Sequence, residues 1–310
     1  MVLAACTGTL DNETAEPVDD ASVAGDTADP ESDAPDNDLL DADDVDLNDP
    51  ALLTRDDVDC SAEAIGSDDE FTFEAMYFVV DGQLGAVCFG EENATVLEAW
   101  DELATITPQS QLVDLALFGG FSEADSDSDE ITAAYVIPVD FDSTEFQMSI
   151  NIEDYASDAD EGALTMAHEF AHVFTSTEDQ IDRTVFDADE CDTYYNGEGC
   201  FLPDSIMAEW VRLFWGPIAL EVDPDVEPSV AGGEERCETN PSFFGEYAAS
   251  HPEEDFAETF SAFVYQLEPD TEAQQIKLDW IRSQPGLAEF RDRAIEARRG
   301  PLPNNFVICG

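Results

Sequence analysis

His168-Glu169-Phe170-Ala171-His172 is the stretch of this chain that decides the predicted fold. It lies within residues 162–175, a segment whose composition favours a helix. Side chains four residues apart lie one above the other on the same helix face, so His168 and His172 can aim two imidazole nitrogens at one point. Such a pair is typical of a tetrahedral zinc site. Glu169 lies about 100° round the helix from His168 and can reach a water on the metal.

The scarcity of histidine strengthens this interpretation. The chain has three histidines, His168, His172 and His251, and two of them form the motif. A random pair at this spacing, with Glu after the first, is expected in on the order of one chain in several hundred. The motif therefore predicts a zinc site.

A third protein ligand is needed beside the two imidazoles. The extended motif with a third His fails, because Thr175 stands at its Gly position and Glu178 at its last His position. Glu254 and Glu258 are better candidates, since they are again four residues apart on a predicted helix. One carboxylate can bind the metal, and the other can accept a proton from a ligand His and fix its tautomer. Glu178 and His251 stay open as alternative third ligands.

The two blocks together resemble a known family. His168-Glu169-Phe170-Ala171-His172 and Glu254-Asp255-Phe256-Ala257-Glu258-Thr259-Phe260 resemble the gluzincin zinc metallopeptidases, in particular the catalytic domain of anthrax lethal factor. The resemblance covers two short blocks in the last half of the chain. It implies zinc ligands His168, His172 and Glu254, a general base at Glu169, and a bond from Glu258 to a ligand imidazole. It also implies that Tyr247, seven residues before Glu254, stabilises the transition state.

The resemblance further implies an α+β, zincin-like fold. Such a domain has a small mixed sheet with an active-site helix, followed by a mainly helical C-terminal half. We therefore expect one domain over residues 60–310, rich in sheet over 60–155 and helical over 156–310. The strand before the zinc helix, residues 146–152, is expected to be an edge strand with which extended peptides pair through main-chain hydrogen bonds.

Local patterns predict the other elements. Aromatic and β-branched runs favour strands over residues 71–80, 84–89 and 131–139. Apolar spacing favours helices over residues 95–106, 204–213, 255–267, 271–283 and 287–299. Residues 111–118 fit either a strand or a helix. Residues 222–235, rich in Pro, Gly and acidic residues, are predicted to be a connector.

The charge of the chain is extreme, with 74 acidic and 10 basic residues. Like-charge repulsion of this size weakens a compact fold in dilute buffer, and salt screens it, with a Debye length of about 3 Å at 1 M. The first 59 residues hold 19 acidic residues and one Arg, so most of the net charge of −64 lies in the rest of the chain. We therefore expect a salt-adapted protein that does not bind nucleic acid, whose phosphates it would repel.

The N-terminal residues indicate export. Leu3-Ala4-Ala5-Cys6 resembles the bacterial lipobox, in which the Cys becomes lipidated, although only five residues precede Cys6. We interpret residues 1–5 as the remnant of a lipoprotein signal and residues 6–59, acidic and without apolar period, as a disordered tether. A lipid anchor on Cys6 would then be the one contact with a membrane.

The cysteines point to the same compartment. Assigning Cys6 to lipid leaves six cysteines, an even number that suits three disulfides in an oxidising compartment. Cys191–Cys200 is favoured by proximity. The pairs Cys60–Cys88 and Cys237–Cys309 would then staple the start and the end of the domain.

The sequence thus predicts an exported zinc-dependent endopeptidase, a monomer that uses Zn²⁺ and acts on peptide or protein substrates. The alternative is an envelope-bound module that binds zinc or calcium without catalysis. The dense acidic surface and the lack of a readable substrate pocket motivate this alternative.

Overall fold

The computed structural model describes residues 7–8, 52–68, 70–123, 131–139, 145–224 and 226–309. Cys6 and most of the predicted tether lie outside these residues. Contacts with the sheet already occur before the predicted boundary at Cys60. The Leu53 carbonyl accepts a hydrogen bond from the Ala86 N–H at 2.8 Å, and Arg55 Nη1 donates to Glu145 Oε1 at 2.6 Å.

Strands occupy mainly the first half of the described chain. They are Thr7–Gly8 (β1), Phe71–Val80 (β2), Gln83–Gly90 (β3), Leu115–Glu123 (β4), Ile131–Thr132 (β5), Ala134–Pro138 (β6), Phe146–Asn151 (β7), Ile181–Asp182 (β8) and Cys200–Phe201 (β9).

Helices dominate the second half. They are Ala94–Ile106 (α1), Gln109–Leu112 (α2), Ile152–Ser157 (α3), Ala159–Thr175 (α4), Ile206–Trp210 (α5), Val230–Thr239 (α6), Pro252–Val264 (α7), Glu272–Ser283 (α8) and Leu287–Glu296 (α9). A π-helical turn, Val211–Trp215, and a 3₁₀ helix, Gly216–Glu221, continue α5, and a second 3₁₀ turn covers Ala188–Glu190. The ambiguous residues 111–118 contain the end of α2 and the start of β4.

The main sheet has five strands in the order β3-β2-β4-β7-β6, and it is mixed because β4 and β7 are parallel while the other pairs are antiparallel. The expectation that residues 146–152 form an edge strand is wrong, since β7 lies between β4 and β6. All six residues of β7 are buried. Even the polar Gln147 is covered, and its side-chain amide donates to the Ile65 carbonyl at 3.0 Å. The two edge strands of this sheet are β3 and β6.

Side-chain caps start the helices where the sequence offers acceptors. Asp158 Oδ1 accepts from the backbone N–H groups of Asp160 and Glu161 and begins α4, as expected for an N-cap residue. Thr271 and Gln274 form a reciprocal capping box on α8. The Asp158 cap fixes where the helix with the His pair begins.

The predicted connector 222–235 is wrong in its second half, where α6 forms. Ser229 Oγ caps α6 by accepting from the Gly232 N–H at 3.1 Å. At Gly233 the helix comes so close to the Glu246 carbonyl that any Cβ would overlap it. The glycines that suggested a linker therefore permit this close packing.

The core has two parts, one on each face of the sheet. The larger part joins the sheet to α1, α4, α7 and α9 and includes an aromatic cluster of Phe170, Phe174, Phe256, Phe260 and Phe290. The smaller part covers the other face with Ile65, Phe73, Met76, Phe121 and Tyr135. The predicted α+β class with a small mixed sheet is confirmed.

All three predicted disulfide pairs are confirmed: Cys60–Cys88, Cys191–Cys200 and Cys237–Cys309. Three disulfides are typical of proteins in an oxidising compartment outside the cytosol. None of the helices in the described residues combines the length and the apolar character that crossing a membrane requires.

A buried ion pair holds the C-terminal helices together. Lys277, the one lysine of the chain, donates from Nζ to Asp255 Oδ1 at 2.5 Å, and both side chains are buried. Asp255 Oδ2 accepts from the indole N–H groups of Trp210 and Trp215 at 3.0 and 2.9 Å. The Lys277 ammonium also lies 4.5 Å from the centroid of the Phe243 ring. Asp255 therefore links α5, the π-helical turn, α7 and α8.

Replacing Lys277 by Met should lower the free energy of unfolding by about 3–5 kcal/mol, because it leaves the Asp255 carboxylate buried without its cation. The matched control is Arg212→Met, which removes an exposed ion pair with Glu209 and should cost less than about 1 kcal/mol. Urea unfolding at fixed high salt measures both changes. Equal effects of the two variants would show that the buried pair does not hold the helices.

Candidate metal centre

Two helices carry the candidate metal ligands. His168 and His172 lie one turn apart on α4, and Glu254 lies in the first turn of α7. Ser261 Oγ donates to the Leu164 carbonyl at 2.9 Å, so a side chain of α7 bonds the backbone of α4. This crossing brings residues 86 positions apart in sequence into one site.

The three side chains converge as the sequence predicted. His168 Nε2 lies 3.0 Å from Glu254 Oε2 and 3.2 Å from His172 Nε2, and His172 Nε2 lies 3.6 Å from Glu254 Oε2. Ligand atoms bound tetrahedrally to zinc at about 2.0–2.1 Å lie about 3.3 Å from one another. The observed triangle matches that spacing. Among the described residues, these three form the group of His, Cys, Asp and Glu side chains that can hold a metal ion.

The site is almost closed to solvent, with 1%, 3% and 1% of His168, His172 and Glu254 exposed. Burial acts to raise the pKa of Glu254, but the two imidazoles outweigh it and lower that pKa to about 2. Burial acts to lower the pKa of His172, but the negative charges of Glu254, Glu169 and Glu253 together raise it to about 9. Burial lowers the pKa of His168. The carboxylates around the imidazoles thus favour a positive charge at this point, which a bound cation would supply.

Glu169 and Tyr247, the two predicted catalytic residues, lie beside this group. Glu169 is fully buried on α4, and its charge helps to raise the pKa of His172. Tyr247 lies in the turn before α7, with its ring centroid 6.1 Å from that of His168. The catalytic roles of both residues stay predictions.

The turn that carries Tyr247 is held from two sides. On one side, α6 packs against it at Gly233, and Arg236 Nη1 donates to the Ala249 and Ser250 carbonyls. On the other side, the Glu246 N–H donates to the Val307 carbonyl at 2.7 Å. The Cys237–Cys309 disulfide joins α6 to the C-terminal segment, so the two supports are covalently linked.

Glu258 lies one turn after Glu254 and is buried. Burial raises its pKa well above the ordinary value, although the Ala248 N–H donates a hydrogen bond to its carboxyl group. Its Oε2 has no hydrogen-bond partner. The bond from Glu258 to a ligand imidazole stays a prediction.

The two alternative third ligands lie outside the group. Glu178 is exposed in the turn after α4. His251 occupies the N-cap position of α7, and its ring is not part of the group. Glu254 is thus the third member of the group that the structure brings together.

Sequence reasoning missed the contacts that Glu253 and Asp255 make on either side of Glu254. Tyr194 donates from its hydroxyl to Glu253 Oε2 at 2.9 Å, and burial raises the pKa of Glu253 to about 7. Asp255 binds Lys277 on the other side. The signal for the second contact was present, because a lone lysine in so acidic a chain needs a structural reason. Nothing in the sequence pointed to Tyr194.

Glu254→Ala should lower zinc affinity by more than about 100-fold, since removing a direct ligand costs at least as much as removing the outer partner of one. His251→Ala, three residues earlier, is the control and should bind zinc as the unaltered protein does. Metal content after dialysis, together with competition against a chromophoric chelator, measures both. If His251→Ala loses zinc while Glu254→Ala retains it, His251 and not Glu254 is the third ligand.

Zinc binding should release about one proton near pH 7, because the metal must displace the proton that His172 holds below its raised pKa. Zinc affinity should therefore rise with pH between about 6 and 9 and level off above that range, where the ring is already neutral. Calorimetric titration in buffers of different ionisation enthalpy counts the released protons. A binding enthalpy that does not depend on the buffer would contradict the protonated state of His172.

Comparisons with protein-family models, with curated proteins and with solved structures find no match for this chain.

Proposed function

We propose that this protein is a zinc-dependent endopeptidase of gluzincin type with a zincin-like fold. The observation that carries the proposal is the triangle of His168, His172 and Glu254, with Glu169 next to one imidazole and Tyr247 near the other. The triangle supports a metal site, while the neighbouring carboxylate and phenol support hydrolysis at it. The disulfides support an exported protein, and a lipid anchor at Cys6 and adaptation to high salt belong to the same proposal.

Each residue has a distinct role. His168, His172 and Glu254 would hold zinc, which when bound lowers the pKa of water toward about 7 and polarises a carbonyl group. Glu169 takes the proton of the attacking water and passes it to the leaving amine, a transfer that needs a buried base held in place. The Tyr247 hydroxyl group donates a hydrogen bond to the developing oxyanion. Glu258 would orient a ligand imidazole.

The sheet offers a way to hold the substrate. Strand β6, Ala134–Pro138, is at the end of the strand order and pairs with β7 on its inner side. An extended peptide that adds to its outer side would gain main-chain hydrogen bonds that do not depend on sequence. This binding mode, expected for the strand directly before the zinc helix, is here proposed for β6.

Glu169→Gln should retain zinc and lose peptide hydrolysis by several orders of magnitude, because the amide keeps the shape of the side chain and cannot take a proton. Glu178→Gln, a change of the same chemistry at an exposed position outside the group, should leave the rate unchanged. Casein or a peptide library in high salt, with and without a chelator, reports the activity. Full activity of Glu169→Gln would remove this residue from the mechanism.

The second candidate is a metal-binding module without catalysis. The near-complete burial of the three ligands favours it, because structural metal sites are closed while catalytic sites keep an open position. This candidate is established if the protein binds zinc and cleaves no peptide, either in the absence or in the presence of a chelator. Chelator-sensitive cleavage would exclude it.

A further inference from the structure

A narrow cavity lies directly beside the metal group, lined by His168 and Tyr247 among others. One wall is the N-terminal half of α4, with Leu164 and Thr165. The opposite wall is the C-terminal segment with Phe306 and Val307. A side chain in this cavity would lie next to the predicted reaction centre, so the lining bears on which substrates the site accepts.

The cavity has apolar sides and acidic groups, and none of the ten basic residues of the chain lines it. Leu164, Val230 and Phe306 supply apolar surface. Glu161, half-buried in the first turn of α4, and Glu258 supply two carboxyl groups. The protein therefore provides no counter-charge for either group inside this cavity.

Glu258 supplies a buried carboxyl oxygen that has no partner among the described residues of the protein. Its side chain is 96% buried, being 4% exposed, and its Oε2 has no hydrogen-bond partner. The backbone of Gly245 passes close to this oxygen and to Phe306. A Cβ added at Gly245 would lie 2.9 Å from Glu258 Oε2 and 3.0 Å from Phe306 Cβ. This oxygen thus lies where the C-terminal segment packs on the Tyr247 turn. A buried polar atom without a partner costs free energy that a bound donor recovers.

The cavity is kept narrow by covalent and hydrogen-bonded supports. The Cys237–Cys309 disulfide and the bond from the Glu246 N–H to the Val307 carbonyl fix the C-terminal wall. The helix α4 fixes the other wall. A slender, unbranched side chain fits such a space better than a planar guanidinium or an aromatic ring.

We propose that this cavity binds a lysine side chain of the peptide substrate, with the methylene stem along Leu164, Val230 and Phe306 and the ammonium group at Glu161 and Glu258. This inference rests on the proposed function, since it names the substrate class of the same site. Lysine matches each feature of the lining: an apolar stem, a compact cation and three donors for carboxyl oxygens.

The test measures binding rather than cleavage. Zinc-loaded Glu169→Gln protein is titrated with alanine-based hexapeptides that carry one Lys at each position in turn, and with a matched set in which norleucine replaces Lys. Norleucine has an unbranched apolar chain without the charge. At about 1 M salt the exposed acidic surface is screened, so a preference reports on the carboxyl groups that line the cavity. We expect Lys to bind about tenfold more tightly than norleucine at one position of the peptide.

Two variants locate the preference. Glu161→Gln in the same background should reduce the ratio of Lys to norleucine affinity to about one third or less. Asp160→Asn, the same change of charge one residue earlier on an exposed side chain, should keep the ratio. Zinc content shows that each variant is folded. Equal affinities for Lys and norleucine at all positions, or a ratio that Glu161→Gln leaves unchanged, would overturn the inference.

The outcome is separable from that of the proposed function. If the unaltered protein cleaves peptides without a preference for Lys, the peptidase proposal stands and the lysine pocket fails. If it cleaves nothing while the Lys preference persists in binding, the pocket stands and catalysis fails.

Discussion

The contact between the Glu254 carboxylate and the two imidazoles depends on where helix α7 lies against α4. Three consecutive acids begin α7, and each has a different partner: Glu253 accepts from Tyr194, Glu254 faces His168, and Asp255 binds Lys277. Successive residues point about 100° apart on a helix, so the three contacts fix the rotation of α7 about its axis. The Asp255 cluster lies in the core and aims Glu254 at the site. Packing and metal chemistry are therefore coupled through one turn of helix.

The scarcity of basic residues makes each of them informative. Arg291 donates to the Phe263 carbonyl at 2.6 Å and Arg293 to the Ala104 carbonyl at 2.9 Å, which satisfies acceptors in the last turns of α7 and α1. Arg236 serves the Tyr247 turn in the same way. A guanidinium suits this work because it offers five donors in a fixed fork. In a chain with such an excess of acid, these three cations bind backbone carbonyl groups of the fold.

The sequence predicted the parts of the site that depend on local spacing and missed those that depend on packing between distant segments. The His pair, Glu254 and the cysteine pairs followed from local spacing, from counting and from a resemblance, because few residues of each type are present. The position of β7 did not follow, since its polar side is covered by Ile65, which lies more than 80 residues earlier. The helix α6 was missed because its glycines serve a contact with the Glu246 turn. Neither Tyr194 nor the C-terminal wall beside Tyr247 leaves a local signal, as both depend on packing between distant segments.

The charges inside the site favour a divalent cation on grounds separate from the motif. Glu169, Glu254, Asp255 and Glu258 are all buried, while Lys277 is the buried cation that neutralises Asp255. Burying carboxylates without counter-charge is strongly unfavourable, and a protein otherwise keeps them protonated. Burial raises the pKa of Glu258, and the neighbouring acids raise the pKa of His172 against the effect of burial, so the environment opposes further negative charge at this point. A divalent ion at the triangle replaces the His172 proton with a larger charge at the same place, so its binding free energy adds to the stability of the fold. By this argument the crossing of α4 and α7 is most stable with the metal bound, whether or not the bound metal catalyses a reaction.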